Sequence, residues 1–443
     1  MKPTLAMVLA VLALGACRNY THFERTASVH DDASVQVDGS VDGGLLGDGG
    51  KTGCVLAGLG NLDANPAVRI NTETQHLFAN SPTSVALVQL PDGTSTALGL
   101  YPGISYATLL QVDNINGTKT TSSHTYNLEL PALAFAVTTA PDHSVHIVVA
   151  LSGSPENLLV EYTLQYPGQL VQRMKAVMYG LPSSIAFGDL DADGNPDLIV
   201  GLIPPAGSSA KPHIWVYPGT AMPPSTNFNF LDGIPTEVPL SQVIPTALLS
   251  IRGGASSSAV FLAVLQQADQ SMTSDLELLA FKTPGSFGYD VITLPTLPTQ
   301  TTTMTAADID NDGQDDLVLG GKATPGMNSL FAITKLGGNM VLTTIAVDGS
   351  VYGLQRIDWN QDGADDLFLW RQPPTMLTSL VPTILQNRGG GTFEPQFSAN
   401  GVASLSSSAA PSIQSPVAQA CPPLLVFANQ SSKIGVYSPG TQQ

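Results

Sequence analysis

Charge is scarce in this chain, and basic charge scarcest. Asp, Glu, Lys and Arg together make up 12% of its 443 residues, with 17 Lys or Arg against 35 Asp or Glu. A formal net charge of −18 disfavours functions built on basic patches, such as wrapping nucleic acid or lying on anionic lipid. Runs of Ala, Leu, Glu and Lys at helical spacing are missing, which argues against a helical bundle or a coiled coil. Aromatic residues are 6% of the chain, and the three Trp are Trp215, Trp359 and Trp370. Cysteine occurs three times, at Cys17, Cys54 and Cys421. The apolar run Leu5 to Leu14 has ten residues, too few to cross about 30 Å of hydrocarbon as a helix. No H-E-x-x-H, G-x-S-x-G or P-loop occurs. The seven His are scattered, His143 and His146 being too isolated for a metal site. Catalysis is therefore not expected.

Turn-forming residues are abundant instead. Gly (42) and Pro (33) suit short strands joined by tight turns, so an all-β fold is expected. The length exceeds one ordinary compact domain unless the chain builds a single large repetitive one. Thirteen of the 35 acidic residues fall in three short stretches, and six more lie between Glu24 and Asp48. The remaining surface is close to charge balance.

The first residues read as an export signal: Lys2, the apolar run, then Leu14-Gly15-Ala16-Cys17. This end resembles the bacterial lipobox, which implies removal of residues 1–16 and acylation of Cys17. An ordinary signal peptide with a chance Cys is the alternative. Two or three acyl chains, at about 0.8 kcal/mol per buried methylene, anchor a protein stably. By the same resemblance, Arg18 after the Cys favours the outer membrane of a bacterial envelope. Residues 17–53 are dominated by Gly, Asp and Ser, as in Asp38-Gly39-Ser40-Val41-Asp42-Gly43-Gly44. They bury too little to fold and are expected to act as a flexible tether. A calcium-binding nonapeptide array would need a nine-residue period that is absent.

Three segments in the remainder, residues 54–443, share one pattern, an apolar strand, then D-x-[DN]-x-D-G-x-x-D, then a second apolar strand. They begin at Asp189, Asp308 and Asp358. The separations, 119 and 50 residues, fit two steps and one step of a repeat of about 50 to 60 residues. Degenerate copies stand where that period puts them: Val85–Leu90 with Ala97–Leu100, Pro131–Val137 with His146–Ala150, Pro245 to Val264, and Ser415 to Phe427. A second marker runs in step, Tyr101-Pro-Gly103, Tyr166-Pro-Gly168, Tyr217-Pro-Gly219, Pro284-Gly285, Gly337-Gly338, Gly389-Gly390-Gly391 and Pro439-Gly440. It is expected to end a third strand in each of seven units. Seven units of about four strands are the arithmetic of a seven-bladed β-propeller.

These loops, together with Ile384 to Phe393, resemble FG-GAP or VCBS repeats, the blades of integrin-α-type propellers, over residues 72 to 440 or so. The last unit lacks a fourth strand, which Asn71–Leu77 is expected to supply, so that an N-terminal strand closes the ring and removes an open edge. On that reading Cys54 and Cys421 lie near the two ends of the fold, and a disulfide between them would tie the closure. Two unpaired thiols are the alternative.

The loops offer oxygen at positions 1, 3 and 5, a Gly at position 6 for the sharp turn, and a carbonyl at position 7, which suits Ca²⁺. Position 12 is Val200, Leu319 or Leu369, inside apolar β-runs, which excludes an EF-hand helix. The family resemblance implies instead that position 9 closes the shell. The implied ligands are Asp189, Asp191, Asp193, Asn195 and Asp197; Asp308, Asp310, Asp312, Gln314 and Asp316; and Asp358, Asn360, Asp362, Ala364 and Asp366, three Ca²⁺ sites in all. Mg²⁺, which demands stricter octahedral geometry, is disfavoured.

The functional expectation is a monomeric, calcium-stabilised, lipid-anchored binding or adhesion module that presents its loops to a protein partner. A glycan-binding propeller is the alternative, although no aromatic recurs at Trp359's counterparts Leu190 and Ile309. An enzyme acting at a central channel, which leaves no local motif, is a distant third.

Overall fold

The computed structural model describes residues 68–70 and most of 84–438. Every regular element among them is a β-strand. Six four-stranded antiparallel sheets form from strands consecutive in the chain. Their first and last strands are Ser84–Gln89 and Ser123–Asn127, Ala132–Thr139 and Gln169–Met178, Leu181–Gly188 and Thr236–Pro239, Ile244–Arg252 and Tyr289–Ile292, Thr301–Ala307 and Val341–Ile345, and Ser350–Ile357 and Phe393–Ser398. A two-stranded hairpin, Thr220–Ala221 with Phe228–Asn229, is inserted before the last strand of the third sheet. One further four-stranded sheet joins the two ends of the fold, with Ser412–Gln414, Leu424–Asn429 and Lys433–Ser438 followed at the edge by Val68–Ile70.

The first strands touch in chain order, and that of the further sheet, Ser412–Gln414, returns to touch Ser84–Gln89. Burial follows this arrangement. Val145–Leu151, the second strand of its sheet, is buried throughout, whereas the edge strand Ser123–Asn127 alternates between exposed and half-buried, as expected for strands covered on both faces and on one. The core is divided into layers, each between two neighbouring sheets. Phe135 with Leu100 and Leu109 fills the first layer, Phe230 with Val148 and Leu198 the second, and Phe281 with Val216 and Leu262 the third.

Five of the first strands carry a bulge near their start, at Leu133, Ser183, Thr246, Thr302 and Tyr352. A bulge re-aims one side chain out of the ladder, and here the chain uses it to join sheets. Ser183 Oγ donates to Gly201 O (3.2 Å) and to Pro245 O of the next sheet (2.6 Å). Thr302 Oγ1 repeats this with Gly320 O (3.3 Å) and Val351 O (2.7 Å). Gly201 and Gly320 stand where neighbouring sheets approach closely. A Cβ on Gly201 would lie 2.4 Å from Ser184 Oγ and 2.8 Å from Pro245 Cγ.

Three expectations change. The N-terminal strand that pairs in the last sheet is Val68–Ile70, whereas 71–77 lies outside the described residues. The opening strand of that sheet is Ser412–Gln414, upstream of the expected start at Ser415. Tyr101 ends a second strand, not a third, because the first sheet continues into Thr108–Val112 and Ser123–Asn127. Residues 1–67, which include the expected signal (1–16), the tether (17–53) and Cys54, lie outside the described residues, as does Cys421.

Candidate metal centres

Each acidic loop follows a first strand and leads into a second, so its ligands hang from the rigid inner half of a sheet. In the third sheet Asp189 begins just past Gly188, and Asp197 opens the second strand opposite it. The loop folds on its own carboxylates. Asp189 accepts the N–H of Asp193 (3.0 Å) and of Gly194 (3.1 Å), and Asp197 Oδ2 accepts the N–H of Leu190 (2.8 Å). The fifth sheet repeats the set. Asp308 accepts from Asp312 N (3.0 Å) and Gly313 N (2.9 Å), and Asp316 Oδ2 accepts from Ile309 N (3.1 Å). In the sixth, Gly363 N donates to Asp358 Oδ2 at 3.2 Å. The position-6 glycines Gly194, Gly313 and Gly363 have φ of 90°, 84° and 86°, the left-handed region that a Cβ disfavours.

These bonds bring together Asp189, Asp191 and Asp197, and likewise Asp308, Asp310 and Asp316, with one oxygen from each residue of a set within 4.8 Å of the others. Asp193, Asp312 and Asp362 stand outside the two triads. They are exposed, and each accepts the N–H of position 7 (Asn195, Gln314 or Ala364) at 2.8 Å. In the sixth sheet Asp366 is buried and Asp358 half-buried, while Asn360 lies outside the described residues.

The triads are short of positive charge. Burial pushes the carboxyls of Asp197 and Asp316 up to about 8, and neighbouring carboxylates add to the shift. Burial also raises Asp189, Asp191 and Asp308. Arg252 approaches Asp189 at 3.5 Å from the fourth sheet. Asp310 Oδ1 is buried without a hydrogen-bond partner among the described residues, and an orphaned carboxylate oxygen costs free energy unless something cationic meets it. A donor set made only of oxygen, confined and anionic, fits a hard divalent cation. The two triads can therefore bind a metal ion.

Two features of these centres have no counterpart in the loop pattern. Oδ1 of position 9 reaches the far end of the third strand, where Gly219 N, in the turn just past it, donates to Asp197 Oδ1 (2.9 Å) and Asn387 N, its last residue, to Asp366 Oδ1 (2.7 Å). In the third sheet the turn marker thus caps the acidic loop. Each loop of the third and fifth sheets also receives a bond from the following sheet, Gly285 N to Asp191 O (2.7 Å) and Gly391 N to Ile309 O (3.2 Å). The position-8 residues Asp315 and Asp365 both pair with Arg356 (3.1 and 3.5 Å), and Asp365 accepts Asp308 N at 2.8 Å. The Asp-Asp doublets were the available signal.

Trp370 is buried and Trp215 half-buried against the layer between the second and third sheets. Among the described residues no helix is long and apolar enough to cross a membrane.

No family model and no curated protein matches the sequence. Solved structures do. The BP39L lectin from Burkholderia pseudomallei is 12% identical with a TM-score of 0.58, covering 82% of this chain and 99% of its own. The Dos1 propeller is 12% identical with a TM-score of 0.45, over 83% and 94% of the two chains. An α-L-arabinanase from Penicillium chrysogenum, complexed with arabinobiose, is 11% identical with a TM-score of 0.43, over 69% and 92%. At these identities the likeness concerns the fold alone, and it is the lectin's superposition that bears on it. Multiple four-stranded antiparallel sheets, their layered core and this superposition identify the chain's fold as a β-propeller.

Proposed function

We propose that the chain is a seven-bladed propeller of the FG-GAP or VCBS kind, closed by Val68–Ile70, in which Ca²⁺ at the acidic loops stiffens a platform that binds a protein partner. The observation that carries the cation part is the buried Oδ1 of Asp310, which has no hydrogen-bond partner among the described residues, beside Asp308 and Asp316. Ca²⁺ is chosen over Mg²⁺ because crowded carboxylates and turn carbonyls make an irregular shell, which the larger ion tolerates. On this reading the ion neutralises the triads, and the residues of the chain hold the loop shape while it is bound. Residues 1–16 are the signal, Cys17 carries lipid, residues 17–53 are the tether, and the propeller stands as a monomer on a bacterial envelope, at the outer membrane. Binding, not catalysis, is the proposed role of the platform.

A second reading, a glycan ligand, is favoured by the likeness to a lectin along 99% of that lectin's length. One experiment separates the two. The soluble domain from Lys51 onward is applied to a glycan array and to envelope extract, each in calcium and in chelator. Calcium-dependent capture of one envelope protein with a silent array supports the protein partner, and calcium-dependent sugar binding supports the lectin. Binding of neither kind that responds to chelator would refute the role of the ion.

A further inference from the structure

We infer that the second sheet carries an activated serine, Ser144, able to take the acyl group of a carboxylic ester. This goes beyond the binding role and is independent of the cation loops. Ser144 Oγ lies 2.7 Å from His146 Nε2, and His146 Nδ1 lies 2.8 Å from Glu161 Oε1. The register pairs Val148 with Glu161 and His146 with Thr163, so the carboxylate reaches the imidazole diagonally between adjacent strands. His146 and Glu161 are 1% and 0% exposed, while Ser144 is half-buried and stands just before the strand Val145–Leu151.

The geometry fixes the proton. Glu161 Oε2 accepts the N–H of Phe230 (3.3 Å) and Leu231 (3.4 Å) from the third sheet. A carboxylate gathered among donors is held as an acceptor, so the imidazole presents N–H at Nδ1 and leaves Nε2 to accept from the serine hydroxyl. The Phe230 ring meets the imidazole edge-on at 5.2 Å, which locks its plane. Two main-chain amides and the imidazole already satisfy Glu161, so the serine is not needed to bury it. A base pinned from behind by a carboxylate, facing a half-exposed hydroxyl, is what makes a serine nucleophilic. This hairpin is the positional counterpart of the acidic-loop hairpins, yet its turn holds a single carboxylate in sequence, Asp142.

In the step, Ser144 Oγ attacks the ester carbonyl carbon and its proton passes to His146 Nε2. The C–O bond to the leaving group breaks, and the alkoxide departs as an alcohol with that proton. Water, deprotonated by the same imidazole, then releases the carboxylic acid and restores the serine. Ser144 and His146 are the catalytic residues, and Glu161 is a positioning residue.

The test treats the folded protein with an alkyl fluorophosphonate and, separately, with p-nitrophenyl acetate. The expected result is a mass increase on the peptide holding Ser144 and release of p-nitrophenolate, both falling at least about 100-fold in Ser144→Ala with the melting temperature retained. The thiol of Ser144→Cys should be alkylated by iodoacetamide faster than a free thiol. A downfield proton signal from His146 Nδ1–H should persist in Ser144→Ala and vanish in Glu161→Gln. A folded protein that takes no label, or takes it equally in Ser144→Ala, overturns the inference. Alkylation of Ser144→Cys no faster than that of a free thiol does the same.

Discussion

Replacing Asp310 by Asn removes a negative charge from the fifth-sheet triad, where Oδ1 has no hydrogen-bond partner among the described residues, and the sign of its effect should depend on the ion. In chelator the triad is uncompensated, with burial and its neighbours holding the Asp316 carboxyl at about 8, so removing one charge should leave stability unchanged or raise it. In calcium the same change removes a ligand. At free ion a hundredfold above the dissociation constant, a site contributes about 2.7 kcal/mol. An unfolding entropy of about 2.1 cal/mol/K per residue over roughly 370 residues gives roughly 0.8 kcal/mol/K. Loss of one site therefore lowers the melting temperature by roughly 3 °C, and chelation of two sites in the unaltered protein by roughly 7 °C. Differential scanning calorimetry of both proteins, in millimolar calcium and in excess chelator, reads all four values. A melting temperature indifferent to chelator, or an Asp310→Asn loss of equal size in both buffers, would refute the reasoning.

Further outcomes follow from the same geometry. Asp197 and Asp316 bind protons more tightly folded than unfolded, so the stability they contribute is full below the usual carboxylate range and is lost as pH rises towards about 8. In chelator the urea midpoint should accordingly be higher at pH 5.5 than at pH 8.5, with calcium flattening the difference. Gly201→Ala places a methyl 2.4 Å from Ser184 Oγ and against Pro245. It should cost about 1 to 3 kcal/mol, read as a urea midpoint shift. If Cys54 and Cys421 are joined, reduction and alkylation should add two alkyl groups that the unreduced protein refuses.

Much of the fold was legible because its repeats carry their own punctuation. The Asp189, Asp308 and Asp358 loops sit between apolar strands in sequence and in space, and the degenerate unit from Pro245 to Val264 pairs as read, Ile244–Arg252 with Val260–Gln267. The last sheet is less legible because its outer strands have three residues each, too few to show a period. The triads were foreseeable from spacing, but the outward turn of Asp193 and Asp312 was not. It depends on the main-chain N–H of Asn195 and Gln314, which no side-chain pattern records. His146 looks isolated in sequence because its partner, Glu161, is 15 residues away. Only strand register brings the two together.

The bond from Gly285 N to Asp191 O makes the fourth sheet a listener to the third. Solvent exchange at that single amide should slow when the neighbouring loop is loaded, although Gly285 itself has no part in the cage. A wave of loosening that begins at one vacant loop would accordingly surface next door, and an isotope label at Gly285 or Gly391 would register it before any spectroscopic change in the strands.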